Sequence, residues 1–125
     1  MKRYKISLIL AIFAVSCASR DINRTDAQDI ARQVAIRASD KRARDNPIVV
    51  DHLYTQERSY GWIFAINSEK FIKTGDINFV VIGNTRFVVT KLGKVCVLSF
   101  WDNTEGAISK RVDDAQECYT LAPQE

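Results

Sequence analysis

Histidine is almost missing from this chain: His52 is the only one in 125 residues, beside three cysteines, one methionine and five glycines. That scarcity excludes whole classes of chemistry. A metal site needs His, Cys or carboxylates at ligand spacing, and no such set gathers around His52, Cys96 or Cys118. A nucleophile at Cys96 would need a base, and His52 is the sole imidazole that could serve. Asp51 precedes it, but neighbouring side chains in a strand point to opposite faces, so Asp51 is not placed to orient His52, which reads as a surface histidine. The glycines are scattered singly, so no phosphate-cradling loop forms. Asp113 and Glu117 would share one face of a helix, and a solvated face is the plainer meaning. No catalytic, metal-binding or cofactor-binding residue is assigned, no cofactor is expected, and the chain reads as a non-enzyme with no small-molecule substrate.

Long apolar runs are also missing, except at the start. Met1-Lys2-Arg3-Tyr4-Lys5 carries three positive charges and no acid, and Ile6 to Val15 follows as an apolar run broken only by Ser7. Ten residues of helix rise only about 15 Å and cannot cross a hydrocarbon core of about 30 Å, so residues 1–16 read as an export signal and not as a span. The run ends Ala14-Val15-Ser16-Cys17, which resembles the lipobox of bacterial lipoproteins, where the cysteine receives a fatty-acyl (palmitate) anchor and becomes the new first residue. The family prefers Leu where this chain has Ala14. Ordinary signal-peptidase cleavage stays open, since Ala14-x-Ser16 and Ser16-x-Ala18 both satisfy the small-x-small rule. In a Gram-negative cell, the lack of Asp at position 18 resembles the pattern that sorts lipoproteins to the outer membrane, so a periplasmic, membrane-anchored location is expected.

Surplus positive charge is missing once the signal is set aside. The net +3 of the whole sequence falls to zero, because residues 1–16 take three of the 18 bases and leave 15 bases against 15 acids. A nucleic-acid partner needs a basic face, so none is expected. What remains is uneven: Arg20 to Asp45 carries seven bases against five acids, and Asp102 to Glu125 two against six. Residues 17–24 read as a tether and residues 25–125 as one domain. Cys96 and Cys118 could pair in an oxidising compartment, closing a loop worth about 3 kcal/mol. Cys96 could equally be a small buried residue among Val95, Val97 and Leu98.

Thr25 with Gln28 fits a capping box. Ala27, Ile30, Ala31, Val34, Ala35 and Ala38 then form a narrow apolar stripe, predicting a helix from Asp26 to Arg44 that ends before Pro47. Strands are expected at Ile48 to Arg58, Tyr60 to Ile66 with Trp62, Phe64 and Ile66 on one face, Ile77 to Ile82, Arg86 to Leu92 and Val95 to Trp101. Gly75-Asp76, Gly83-Asn84 and Gly93-Lys94 mark turns between them, and short turns favour an antiparallel meander. Ile108, Val112, Ala115 and Tyr119 give weak helical spacing, against which Gly106 counts. The expected class is α+β: an N-terminal helix packed on a twisted antiparallel sheet of about five strands, with room for a short C-terminal helix.

Tyr60-Gly61-Trp62-Ile63-Phe64, Asn67-Ser68, Thr74-Gly75-Asp76, Gly83-Asn84 and Leu92-Gly93-Lys94, in that order, resemble the immunity protein 35 family of bacterial polymorphic-toxin systems over roughly Thr25 to Phe100. The lipoprotein signal and the acidic, cysteine-bearing tail depart from that pattern. The resemblance implies an inhibitor that binds a cognate toxin. Capture would rest on complementary charge, for which Asp102, Glu105, Asp113, Asp114 and Glu117 are candidates, and on aromatic anchors, with Trp101 and Tyr119 foremost and Tyr54 and Tyr60 beside them. Two other roles remain open: a lipoprotein inhibitor of lysozyme-type enzymes, and a chaperone-like or structural lipoprotein.

Overall fold

A computed structural model describes residues 21–39, 45–83, 85–115 and 118–121. The expected export signal at residues 1–16, Cys17, Glu117 and the expected helix end at Arg44 lie outside the described residues.

The first element, α1, spans Arg24–Ser39. It starts earlier than the Thr25-Gln28 pattern suggests. Asn23 Oδ1 accepts from the Asp26 amide at 2.9 Å, and Asp26 Oδ2 accepts from the Asn23 amide at 3.3 Å, a reciprocal capping box two residues ahead of the expected one. The physical reason is upstream: the Ile22 amide is held by the Lys91 carbonyl, so the chain must turn into helix at once. Ala27, Ala31 and Ala35 recur every fourth residue and are buried, letting the helix axis approach the sheet closely. Ala38, expected on the same stripe, is exposed. Ser39 then accepts from the Ile48 amide and donates to the Ile48 carbonyl, fixing where the first strand begins.

Six strands follow, all antiparallel: β1 (Ile48–Val50), β2 (Gln56–Arg58), β3 (Gly61–Ser68), β4 (Arg86–Thr90), β5 (Val95–Leu98) and β6 (Cys118–Tyr119). Strands β3 to β6 pair in chain order, the expected meander. The expected strand from Ile48 to Arg58 is instead two pieces on one edge of β3. β1 pairs with its C-terminal end and β2 with its N-terminal end, separated by a single 3₁₀ turn at His52–Tyr54. The Asp51 carboxylate accepts from the Leu53 amide and closes that turn.

The segment Ile77 to Ile82 is not a strand. Its backbone is matched by side chains instead of by a neighbouring strand. Asn67 Oδ1 accepts from the Val81 amide at 2.8 Å, Asn67 Nδ2 donates to the Val81 carbonyl at 3.3 Å, and Ser68 Oγ donates to the Phe79 carbonyl at 2.6 Å. A 3₁₀ turn at Ile77–Phe79, capped by Asp76, takes up the rest. Ser68 also caps the short helix α2 (Glu69–Thr74), which ends on Gly75 in the left-handed region that glycine enters without penalty. The Asn67-Ser68 step is thus a brace for the loop beyond it.

Two cores result, one on each side of the sheet. Trp62, Phe64, Ile66, Phe87, Val89 and Val95 face α1, with Phe64 and Phe87 stacked across the β3–β4 pair at 5.8 Å. Ile63, Val88, Cys96 and Leu98 face the other way and are covered by Ile108 of α3 (Glu105–Asp114). Despite Gly106, this C-terminal helix forms, because Thr104 caps it and Ile108 is buried under it. Cys96 and Cys118 are joined in a disulfide between opposed residues of β5 and β6. Closing 22 residues of chain separation removes unfolded-state freedom worth about 3 kcal/mol.

Gly61 opens β3 where β4 comes closest. A Cβ there would collide with the Val89 carbonyl and lie 2.8 Å from the Thr90 Cα, and its φ of 152° is one that side chains avoid. Gly61→Ala is expected to cost roughly 2 to 3 kcal/mol in chemical denaturation, since backbone and not a flexible side chain would have to yield. An unchanged denaturation midpoint would show that β3 and β4 can separate freely.

Candidate binding surface: a braced aromatic turn

Strand β5 stops at Leu98, short of the expected end at Trp101, because the next four residues form a tight turn. The Asp102 amide donates to the Ser99 carbonyl at 3.1 Å. Asp102 Oδ2 in return accepts from the Ser99 amide at 2.7 Å and from Ser99 Oγ at 2.9 Å. The same oxygen meets Arg111 Nη2 of α3 at 2.9 Å. Arg86 Nη2 of β4 donates to the carbonyls of Ser99 (3.3 Å) and Asp102 (2.9 Å). Both ends of the turn are therefore fastened, one cation to each layer beneath.

Asp102 is only 8% exposed, and its Oδ2 takes the Ser99 amide, the Ser99 hydroxyl and the Arg111 guanidinium together. Burial pushes its carboxyl upward, but the Ser99 amide and hydroxyl and the Arg111 guanidinium outweigh that and hold it below the usual range. The residues it brackets are the reverse: Phe100 is 82% and Trp101 80% exposed, their rings edge to face at 5.4 Å. Fully burying such a ring against a partner is worth about 1.5 to 3 kcal/mol. Because the turn is already fixed, little ordering cost would be subtracted.

Beside the turn lies a cleft of about 350 Å³ lined by Tyr54, Ile63, Arg86, Thr104, Glu105 and Ile108 among others. Glu105 sits in the first turn of α3, where a carboxylate suits the helix dipole. It accepts from Arg58 Nε at 2.7 Å and from the Tyr60 hydroxyl at 3.2 Å, tying α3 to β2 and to the turn that leads into β3. The Arg58 hydrogen bond draws its carboxyl below the ordinary value, while burial and the Glu105 charge raise the Tyr60 hydroxyl.

Of the residues singled out in the sequence, the structure brings Trp101, Asp102, Glu105, Tyr54 and Tyr60 to this region. Asp113 and Asp114 are exposed at the far end of α3, and Tyr119 opposes Val95 on the α1 side of the sheet, away from Trp101. The acidic tail is therefore not one surface. Phe100 was not among the expected contacts. Its signal was the spacing Ser99-x-x-Asp102, a hydroxyl and a carboxylate that close a turn and leave the two residues between them outside. His52 lies exposed in its 3₁₀ turn while Asp51 caps it, and the sulfur of Cys96 is committed to the disulfide. Among the described residues, no group of three His, Cys, Asp or Glu could hold a metal ion, and no helix is long and apolar enough to cross a membrane.

The depressed Asp102 carboxyl gives a pH test. A group depressed in the folded state stabilises above its unfolded value, about 3.9, and loses that contribution as pH falls through the folded value. Asp102→Asn is expected to be less stable than the parent by roughly 1 to 3 kcal/mol at neutral pH, with the gap narrowing below about pH 4 in thermal melts. A gap independent of pH would mean that the charge does not hold the turn.

Comparison with curated proteins and with solved structures finds no match. The sequence model of one family, described as Immunity protein 35, matches residues 25–105. That stretch begins in the first turn of α1 and ends at the first residue of α3, so it holds β1 to β5 and the aromatic turn. With most of its length matched, the chain belongs to the immunity protein 35 family.

Proposed function

We propose that this protein is exported, held on the periplasmic side of a bacterial membrane (the outer membrane in a Gram-negative cell) by an acyl group on Cys17, and neutralises a toxin in the envelope by seating Phe100 and Trp101 in it. Family membership makes it an immunity protein against a toxin. The single observation that carries the rest is the braced turn. Two large rings are held in solvent beside a buried carboxylate and two arginines, and among the described residues they stay exposed. Binding hot spots are enriched in Trp, sit in pre-ordered positions and are ringed by weaker polar contacts, here supplied by Tyr54, Asn103 and Glu105 beside the cleft.

Export is supported by the charged and apolar start of the sequence and by the disulfide, which persists in oxidising compartments and not in the cytosol. A toxin attacking peptidoglycan or the membrane would be met where it acts. Neutralisation is by stoichiometric binding and needs no chemistry from this chain.

The test is co-expression with the exported toxin of the same locus. Trp101→Ala is expected to weaken toxin binding about 30-fold or more, the effect of losing one hot spot of about 2 kcal/mol, with an unchanged melting temperature. A Phe100→Ala/Trp101→Ala protein that still protects cells and binds equally would remove the turn from the interface. Inhibition of purified lysozyme in place of the toxin would replace the toxin partner altogether.

A further inference from the structure

We infer that the β4–β5 turn, Lys91 to Lys94, is a docking site for anionic phospholipid headgroups, so that the anchored protein stands with this turn on the bilayer and its aromatic turn pointing away. The inference rests on the acylation of Cys17 proposed above.

The first described residues lead straight to this turn. The Ile22 amide donates to the Lys91 carbonyl at 2.8 Å, and the Ile22 side chain lies over Gly93, 3.6 Å from where a Cβ would stand. From Cys17 to Ile22 the chain has five residue steps, which span at most about 18 Å when fully extended. The headgroup region beyond the hydrocarbon core is itself about 5 to 8 Å deep on each side. An acyl group inserted at Cys17 therefore keeps the turn within easy reach of the phosphates, whatever path the intervening residues take.

The turn has the composition such a surface selects. Leu92 is 65% exposed at its tip, an apolar side chain left uncovered among the described residues. Lys91 and Lys94 flank it in the chain, Lys94 exposed and Lys91 half-buried. The Lys91 ammonium lies 4.2 Å from the centre of the Trp62 ring, which fixes the cation's position at the root of the turn. A basic pair around an exposed leucine matches an interface of phosphates above acyl chains, the leucine reaching below the lysines.

The direction of the strands fixes the rest. β4 runs from Arg86 into this turn and β5 runs back to Leu98. Phe100 and Trp101 follow Leu98, at the opposite end of the sheet from Leu92. Anchoring thus presents to the surroundings the end that carries the proposed toxin contact.

The experiment uses the full chain, exported and acylated in cells, reconstituted into vesicles of phosphatidylethanolamine and phosphatidylglycerol carrying brominated acyl chains. Flotation reads the anchor, and tryptophan quenching reads the orientation. Leu92→Trp/Trp101→Phe is expected to float, to show a blue-shifted emission and to lose intensity to the brominated lipid. The parent chain, with Trp101 and the buried Trp62, keeps its emission. Replacing phosphatidylglycerol by phosphatidylcholine is expected to reduce the quenching at position 92. A protein that does not float overturns the acylation and this docking together. A protein that floats but shows no quenching at position 92, or quenching of Trp101 instead, overturns the docking and leaves the anchor standing. Equal quenching in both vesicle types removes the anionic headgroup from the site.

Discussion

Strand β3 is enclosed on every side, and the rest of the molecule is arranged to satisfy that. Its backbone is paired along one edge by β1 and β2 in succession and along the other by β4. Its even-numbered side chains meet the alanine stripe of α1, and Ile63 meets the layer under α3. A strand buried on both faces needs apolar residues on both, which is why Trp62 to Phe64 is an unbroken apolar run. Tight pairing at its start requires Gly61, and the indole nitrogen of Trp62, sealed in the core, needs the acceptor that Glu57 supplies at 2.9 Å from the paired strand. Where β3 ends, Asn67 and Ser68 turn their side chains into substitutes for a further strand, so the sheet stops without leaving the Phe79 and Val81 backbone unpaired.

Periodicity made the parts of this fold legible wherever the backbone bonds to backbone. The alanine spacing of α1, the alternation of Trp62, Phe64 and Ile66, and the glycine turn at Gly93 all report local geometry, and the antiparallel α+β architecture follows from them. The misreadings fall where side chains take over the backbone's partners. Ile77 to Ile82 has a strand's composition, but its amide and carbonyl groups go to Asn67 and Ser68. Ile48 to Arg58 is interrupted because Asp51 can close a turn on Leu53. Thr25 could cap a helix, yet Asn23 caps it first because a contact with Lys91, 69 positions along the chain from Ile22, decides where the helix begins. No local pattern carries that information.

The same limit governed the candidate site. Charge counting marked the acidic tail as one patch, and a count cannot tell a carboxylate in water from one turned inward. Asp102 is turned inward, where burying a charge is costly unless it is paired and hydrogen-bonded, and Ser99 and Arg111 meet that requirement. The cost of that burial is offset by its mechanical result, a turn that cannot fold its two aromatic rings back onto the protein. Asp102, expected among the contact residues, holds the turn that leaves Phe100 and Trp101 exposed.

That brace also reaches the disulfide. Arg111, which pairs with Asp102, lies on α3, and its carbonyl oxygen is 4.0 Å from the sulfur of Cys118. α3 and β6 extend past residue 105, where the family match ends, and only Ile108 among the residues of α3 is fully buried. A helix with so little core of its own depends on being tied at both ends, here by Glu105 to Arg58 and Tyr60 and by Cys118 to Cys96. In a reducing compartment the second tie is lost, and with it part of the support for Arg111 and the Ser99–Asp102 turn. The aromatic surface is therefore best formed where Cys96 and Cys118 stay oxidised, and the segment beyond the family match ties that condition to the shape of the turn.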